Sequence, residues 1–174
     1  MNNLSSQSEI TIRPAIAADQ DSIKHIIREA GISPMHLDWA HFLLAEANGQ
    51  IVATGQIKPL KDGTLELASI ATILAYQNQG IASKIIWALL AQAPEPLYLV
   101  CESKMASFYP HFGFRELAPA EMPTELFKRQ RLISWLIPII NTLSRTKMRL
   151  LVMKQMIPPD AENHGVGSKA PSVK

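Results

Sequence analysis

Residues 76–83 read YQNQGIAS, and the apolar run KIIWALLAQA follows directly. The first N–H groups of a helix have no partner within it and carry the positive end of its dipole. A glycine at that point lets an anion reach the backbone with no Cβ in the way. Gln77, Asn78, Gln79, Gly80, Ile81 and Ala82 could therefore cradle a pyrophosphate without a charged side chain, and Ser83 and Lys84 could add a hydroxyl and a cation. Read alone, one glycine in a turn is more often plain loop punctuation. Glu66 is a second residue with chemical potential. It lies in the strand-like run TLELASIAT, eleven positions before Gln77. In a regular strand Glu66, Ala68, Ile70 and Thr72 share a face, which would stand a carboxylate among apolar neighbours as a candidate general base. The alternative is an edge carboxylate in water beside the Asp62-Gly63 turn. Cys101 closes an apolar run with no activating histidine near it in sequence, so a buried inert thiol is expected. The five histidines show no metal spacing, since His36 and His41 are five apart and off a common helical face. His111 reads as a loop-side residue facing solvent, and no metal is expected.

The elements that must hold these residues can be read from patterning. The chain has 174 residues, enough for one domain with a sizeable core. It is 47% hydrophobic and 18% charged, with a formal net charge of +2, so neither nucleic acid nor a membrane surface is indicated. A single cysteine excludes an intrachain disulfide framework and fits a reducing cytoplasm. MNNLSSQSEI shows no basic segment followed by an apolar run, so no secretory signal is expected. No apolar stretch approaches the roughly 18 residues of a membrane span.

ITIRPA reads as a strand closed by Pro14, and AADQDSIKHIIREAG as a helix with Asp19 near its start and Gly31 past its end. HFLLAEA and IVATGQIK form a hairpin about Asn48-Gly49, and Asp62-Gly63 turns the chain into TLELASIAT. A helix over about 80–93 stops before Pro94. PLYLVC reads as a strand buried on both faces, SKMASFYPHF as a helix disturbed by Pro110, and FRELAP as a short strand. Residues 124–146 read as a longer helical region that Pro138 should kink, MRLLVMKQM as a last strand, and 157–174 as a disordered tail. The expected order is β-α-β-β-β-α-β-α-β-α-β, a mixed α/β sheet rather than a doubly wound alternation.

The turn fits Gln/Arg-x-x-Gly-x-Gly/Ala as Gln77-Asn78-Gln79-Gly80-Ile81-Ala82, and downstream FYPHFGF fits Phe-Tyr-x-x-x-Gly-Phe. With ITIRPA and its helix in front, the chain resembles the Gcn5-related N-acetyltransferase (GNAT) superfamily over about residues 9–156. The resemblance implies the GNAT fold: a twisted, mostly antiparallel sheet flanked by helices, here with an extra helical insertion before the last strand. It implies acetyl-CoA as co-substrate. Gln77, Asn78, Gln79, Gly80, Ile81, Ala82 and Ser83 would hold the pyrophosphate, and the backbone of Ile70, Ala71 and Thr72 the acyl carbonyl and pantetheine. It also implies Tyr109 as the acid that protonates the departing thiolate, and it places Glu66 where histone-acetylating members carry their base. Glu102-Ser103 stands where the family often has an Asn touching CoA.

Acyl transfer to an amine requires a neutral amine, donors for the developing oxyanion, a proton for the thiolate and near-attack geometry. The expected function is acetyl transfer from acetyl-CoA to a primary amine, on a small molecule or a peptide, by direct attack in a ternary complex. The rivals are a non-catalytic acyl-CoA-binding module and a membrane-peripheral protein that uses the 124–146 helix. That segment carries Lys128, Arg129 and Arg131 beside an apolar stripe. It is expected to pack on the sheet with its charges in water, as a lid that selects the amine. The expected protein is cytoplasmic, without nucleic acid or membrane contact, and monomeric or homodimeric.

Overall fold

The computed structural model describes residues 9–34, 37–94, 96–133 and 149–156. The expected tail, the Pro138 kink, His36 and residues 134–146 of the insertion lie outside these. One seven-stranded sheet runs in the order β1-β2-β3-β4-β5-β7-β6. Its strands are β1 (Ile10–Pro14), β2 (Phe42–Ala47), β3 (Gln50–Pro59), β4 (Leu65–Thr72), β5 (Leu97–Glu102), β6 (Phe114–Glu116) and β7 (Leu150–Gln155). Every pairing is antiparallel except β4 with β5.

The hairpin joining β2 to β3 forms at Asn48-Gly49, whose φ angles of 51° and 75° give the two left-handed residues that such a turn requires. Helix α1 (Gln20–Glu29) buries Ile23, Ile26 and Ile27 against Phe42, Leu44 and Ala71 on one sheet face. Helix α2 (Ile81–Leu90) buries Ile81, Ile85, Ile86, Leu89 and Leu90 on the other, against Leu43, Ala45 and Leu67. Gly55 of β3 makes this packing possible. A Cβ there would lie 2.6 Å from Ile85 Cγ2 and 2.7 Å from Ile70 Cδ1, so α2 could not sit as close to the sheet. Residues 124–133 are helical, here α3. The helix covers the remaining half of the α1 face, where Leu126 is fully buried with Leu117 and Val152.

The α1 helix entry is tied down by charge. Asp19 stands at the N-cap position of α1, but its side chain makes no cap bond there. A 3-10 turn (Ala17–Asp19) precedes the helix, and the Asp19 carboxylate accepts from Ile16 N at 2.8 Å and from Arg13 Nη1 at 2.7 Å. Arg13 also reaches Glu46 at 2.8 Å. The hydrogen bond from Arg13 holds the Asp19 carboxyl below the usual carboxylate range.

Three local expectations are corrected. SKMASFYPHF is not an α-helix but two 3-10 turns, Ser103–Met105 and Tyr109–Phe112, because Pro110 lacks the N–H that a longer helix needs. PLYLVC is not equally buried on both faces. Leu97, Leu99 and Cys101 are buried, while Tyr98 and Val100 are only partly covered from the α3 side. β4 is also irregular. Thr54 pairs with Ala71 but Gln56 pairs with Ala68, so β4 carries one extra residue, and Ser69 sits at φ 57°. The bulge resets the alternation. Glu66, Ala68 and Ala71 lie on the α1 face, while Ile70, beside Gly55 and Ile85, and Thr72, opposite Ala53, lie on the α2 face and share no face with Glu66.

Candidate active site

β4 and β5 pair only over Leu65–Leu67 with Leu97–Leu99. Beyond Leu67, β4 continues to Thr72 and β5 to Glu102 without pairing to each other. The two strands therefore part, and residues 68–72, including the expected Ile70, Ala71 and Thr72, lose the neighbour that would satisfy their backbone on that side. The bulge is pinned from β3. Thr54 Oγ1 donates to Ser69 O at 3.1 Å, and Gln56 Nε2 donates to Ser69 Oγ at 2.8 Å. Two buried side-chain oxygens flank the open stretch with no partner among the described residues, Gln56 Oε1 and Thr72 Oγ1. A buried polar atom left unsatisfied costs stability, so orphans at this place mark a slot for a polar ligand.

The open edge leads to the glycine turn. Gln77 Nε2 donates back to Thr72 O at 3.0 Å, and Gln79 Nε2 to Ala75 O at 3.1 Å. These amide side chains brace the loop, in which Gln77 N also donates to Leu74 O at 3.3 Å. Asn78 and Gly80 take φ 61° and 75°, and Gly80 is the N-cap of α2. A Cβ at Gly80 would meet no atom within 4 Å, so the approach to the N–H groups of Ile81, Ala82 and Ser83 is open. Loop, open edge and the orphaned Thr72 hydroxyl suit an acyl-CoA, with the pyrophosphate on 77–83 and pantetheine along 68–72.

Tyr109 lies on the α2 face, packed against Phe108 (centroids 5.2 Å) and Phe114 (6.2 Å). Burial first, then the nearby Cys101 thiol, push its phenol up to about 12. Tyr109 therefore keeps its proton at neutral pH and can act as an acid. Cys101 is buried, and burial together with Glu116 and Glu102 pushes its thiol up to about 11, as suits an inert thiol. His111 is exposed, with its ring edge against Trp87 and Phe112. Among the described residues no group of three potential metal ligands occurs, and no helix is long and apolar enough to cross a membrane.

Glu66 is 4% exposed, but its surroundings differ from the apolar ones expected. Arg129 of α3 holds both carboxylate oxygens, with Nη1 at 2.8 Å from Oε2 and Nη2 on Oε1. Lys58 of β3, directly opposite Glu66 in the register, has Nζ 3.6 Å from Oε2. Of the three insertion cations, Arg129 is thus held inward, while Lys128 pairs with Glu125 at the surface. Sequence reading missed Arg129, Lys58 and Gln56 as site residues. Counting outward from Asp62-Gly63 as a two-residue turn would set Lys58 opposite Leu67. The actual loop is 61–63, closed by Leu60 N donating to Thr64 O, and it sets Lys58 opposite Glu66. Arg129 lies 63 positions from Glu66 and left no signal.

The model of the Acetyltransferase (GNAT) family matches residues 9–114, more than half of the chain. The protein belongs to the GNAT acetyltransferase family. N-acetylglutamate synthase from Neisseria gonorrhoeae, solved with coenzyme A and L-arginine, superposes with TM-score 0.63 at 18% identity over 84% of this chain. The match takes in 33% of that protein, so this GNAT chain spans about a third of its length. Rv2747 from Mycobacterium tuberculosis, solved with CoA and NLQ, gives TM-score 0.62 at 17% identity, over 84% of this chain and 99% of that one. The ribosomal-protein-S18-alanine N-acetyltransferase of Escherichia coli gives 0.60 at 19%, over 89% and 98%. At these identities the likeness shows the fold. No curated protein sequence matches the chain.

Proposed function

We propose that this GNAT protein transfers an acetyl group from acetyl-CoA to a primary amine, by direct attack of the amine in a ternary complex. The observation that carries the reading is the parting of β4 from β5 beyond Leu67, which leaves an open backbone edge running to the Gly80 turn. Acetyl-CoA supplies the activated thioester. The N–H groups of residues 80–83 hold its pyrophosphate, and the free backbone groups of Ile70, Ala71 and Thr72 hold pantetheine and the acyl carbonyl. Tyr109, protonated at neutral pH, gives its proton to the departing sulfur.

Glu66 takes the proton of the amine through a water, on the carboxylate lone pairs that Arg129 leaves open. Glu66→Gln should lower kcat while acetyl-CoA KM stays as it is; a kcat equal to wild type removes Glu66 from proton transfer. The whole reading is tested by thiol release over a broad amine panel with acetyl-, propionyl- and succinyl-CoA. Turnover with acetyl-CoA and at least one primary amine is expected. Tight acyl-CoA binding with no turnover of any amine would overturn it in favour of a binding module.

A further inference from the structure

Two groups on the α1 face, the half-buried Lys58 and the fully buried Gln56, have hydrogen-bonding capacity that the protein does not fill. Lys58 has a side chain only 15% exposed, and its one ionic contact is the 3.6 Å approach to Glu66. An ammonium carries three donors, and none of them has a close acceptor among the described residues. Two residues before it on the same strand face, Gln56 is fully buried and its Oε1 has no donor. The two lie about 7 Å apart along the strand. Gln56 is paired with Ala68, the residue at which β4 leaves β5.

The charge around them is unbalanced. Lys58, Glu66, Tyr98, Lys154 and Arg115 stand opposite one another across β3, β4, β5, β7 and β6. Arg129 adds a cation at Glu66, and Glu121 an anion at Arg115. With Asp62 of the β3–β4 turn, whose carboxylate accepts from the N–H groups of Thr64 and Glu125, four cations face three carboxylates. Such a site repels a polycation and leaves an anion-binding place at Lys58.

An orphan donor and an orphan acceptor this close are completed together by a ligand with an amine at one end and a carboxylate at the other. We infer that the acceptor is a primary amine bearing a nearby carboxylate, an amino acid or an acidic peptide N-terminus, with Lys58 binding the carboxylate and Gln56 Oε1 accepting from the amine. The inference rests on the acetyltransferase reading and narrows its acceptor.

The test is steady-state thiol release by the full chain with glycine, β-alanine and glutamate, their amides, a peptide beginning Asp-Glu, and spermidine. Carboxylated amines should exceed their amides and spermidine in kcat/KM, and the Asp-Glu peptide separates a free amino acid from a peptide as the source of the carboxylate. Lys58→Met, which keeps the packing stem, should raise KM for the carboxylated acceptors roughly ten- to a hundredfold. Loss of the Lys58–Glu66 contact acts on kcat for every acceptor alike, so the readout is the KM ratio of amides to carboxylated acceptors. That ratio should collapse while acetyl-CoA KM stays, and Lys58→Arg should largely restore it. Amides or spermidine used as well as amino acids would overturn the inference while leaving acetyl transfer intact. A KM ratio in Lys58→Met equal to wild type would overturn it too, by showing a structural role. If isothermal titration shows acetyl-CoA binding but neither set is turned over, the acetyltransferase reading itself fails.

Discussion

The two ends of β4 are built in opposite ways. Its C-terminal end runs into residues 77–83, where one short stretch of chain supplies the glycine, the left-handed turn and the helix start. Its N-terminal end, at Glu66, is assembled from β3, β4 and α3, with Arg129 arriving from 63 residues away. The first end offers neutral backbone donors to a ligand part that every acyl-CoA shares. The second presents charged side chains gathered from three elements. Under the proposed function, different kinds of atoms thus serve the donor and the acceptor.

Tyr109, on the α2 face, is where the proposed chemistry can be broken most sharply. Tyr109→Phe should lower kcat by about 10²–10⁴ with little change in acetyl-CoA KM, as removal of a general acid does. Because burial raises the phenol to about 12, the wild-type kcat should show no loss from Tyr109 ionisation up to about pH 10. An unchanged kcat in the variant would take Tyr109 out of the mechanism. At the assembled end, Arg129→Met should destabilise the fold by about 1–3 kcal/mol, since it strips the hydrogen-bonding partner from a buried carboxylate and leaves only the 3.6 Å contact of Lys58. Urea unfolding measures this, and a midpoint equal to wild type would show that the clasp is unimportant for folding. At the contiguous end, Gly80→Val forces a β-branched residue to φ 75°, at a cost of about 1–3 kcal/mol. Here the loss should appear as a raised acetyl-CoA KM with acceptor KM unchanged. An effect on acceptor KM instead would mean that the two ends are not separate.

The comparison also explains what could be read without coordinates. The Asn48-Gly49 hairpin, the spacing of Ile81, Ile85 and Leu89 on α2, and the Gln77–Ala82 turn are local, so each carries its own signal in a few residues. FYPHFGF was legible as a motif but not as a shape. Pro110 and Gly113 hold it in a 3-10 turn where apolar spacing suggested a helix. The Ser69 bulge was hidden because it depends on Thr54 and Gln56 reaching across from β3 to hold a left-handed serine. That single extra residue moved Thr72 off the face of Glu66 and overturned a face assignment drawn from period-two alternation.

Patterning alone thus determined the order of the strands, the helices α1 and α2 and the glycine turn before α2, because propensity, turn chemistry and helix-start geometry act within a few residues of one another. Only the tertiary structure decided the company of Glu66. A carboxylate in an apolar-looking strand is read differently once Arg129 and Lys58 stand beside it. Charge pairing acts through space, and no local window of the sequence contains both partners.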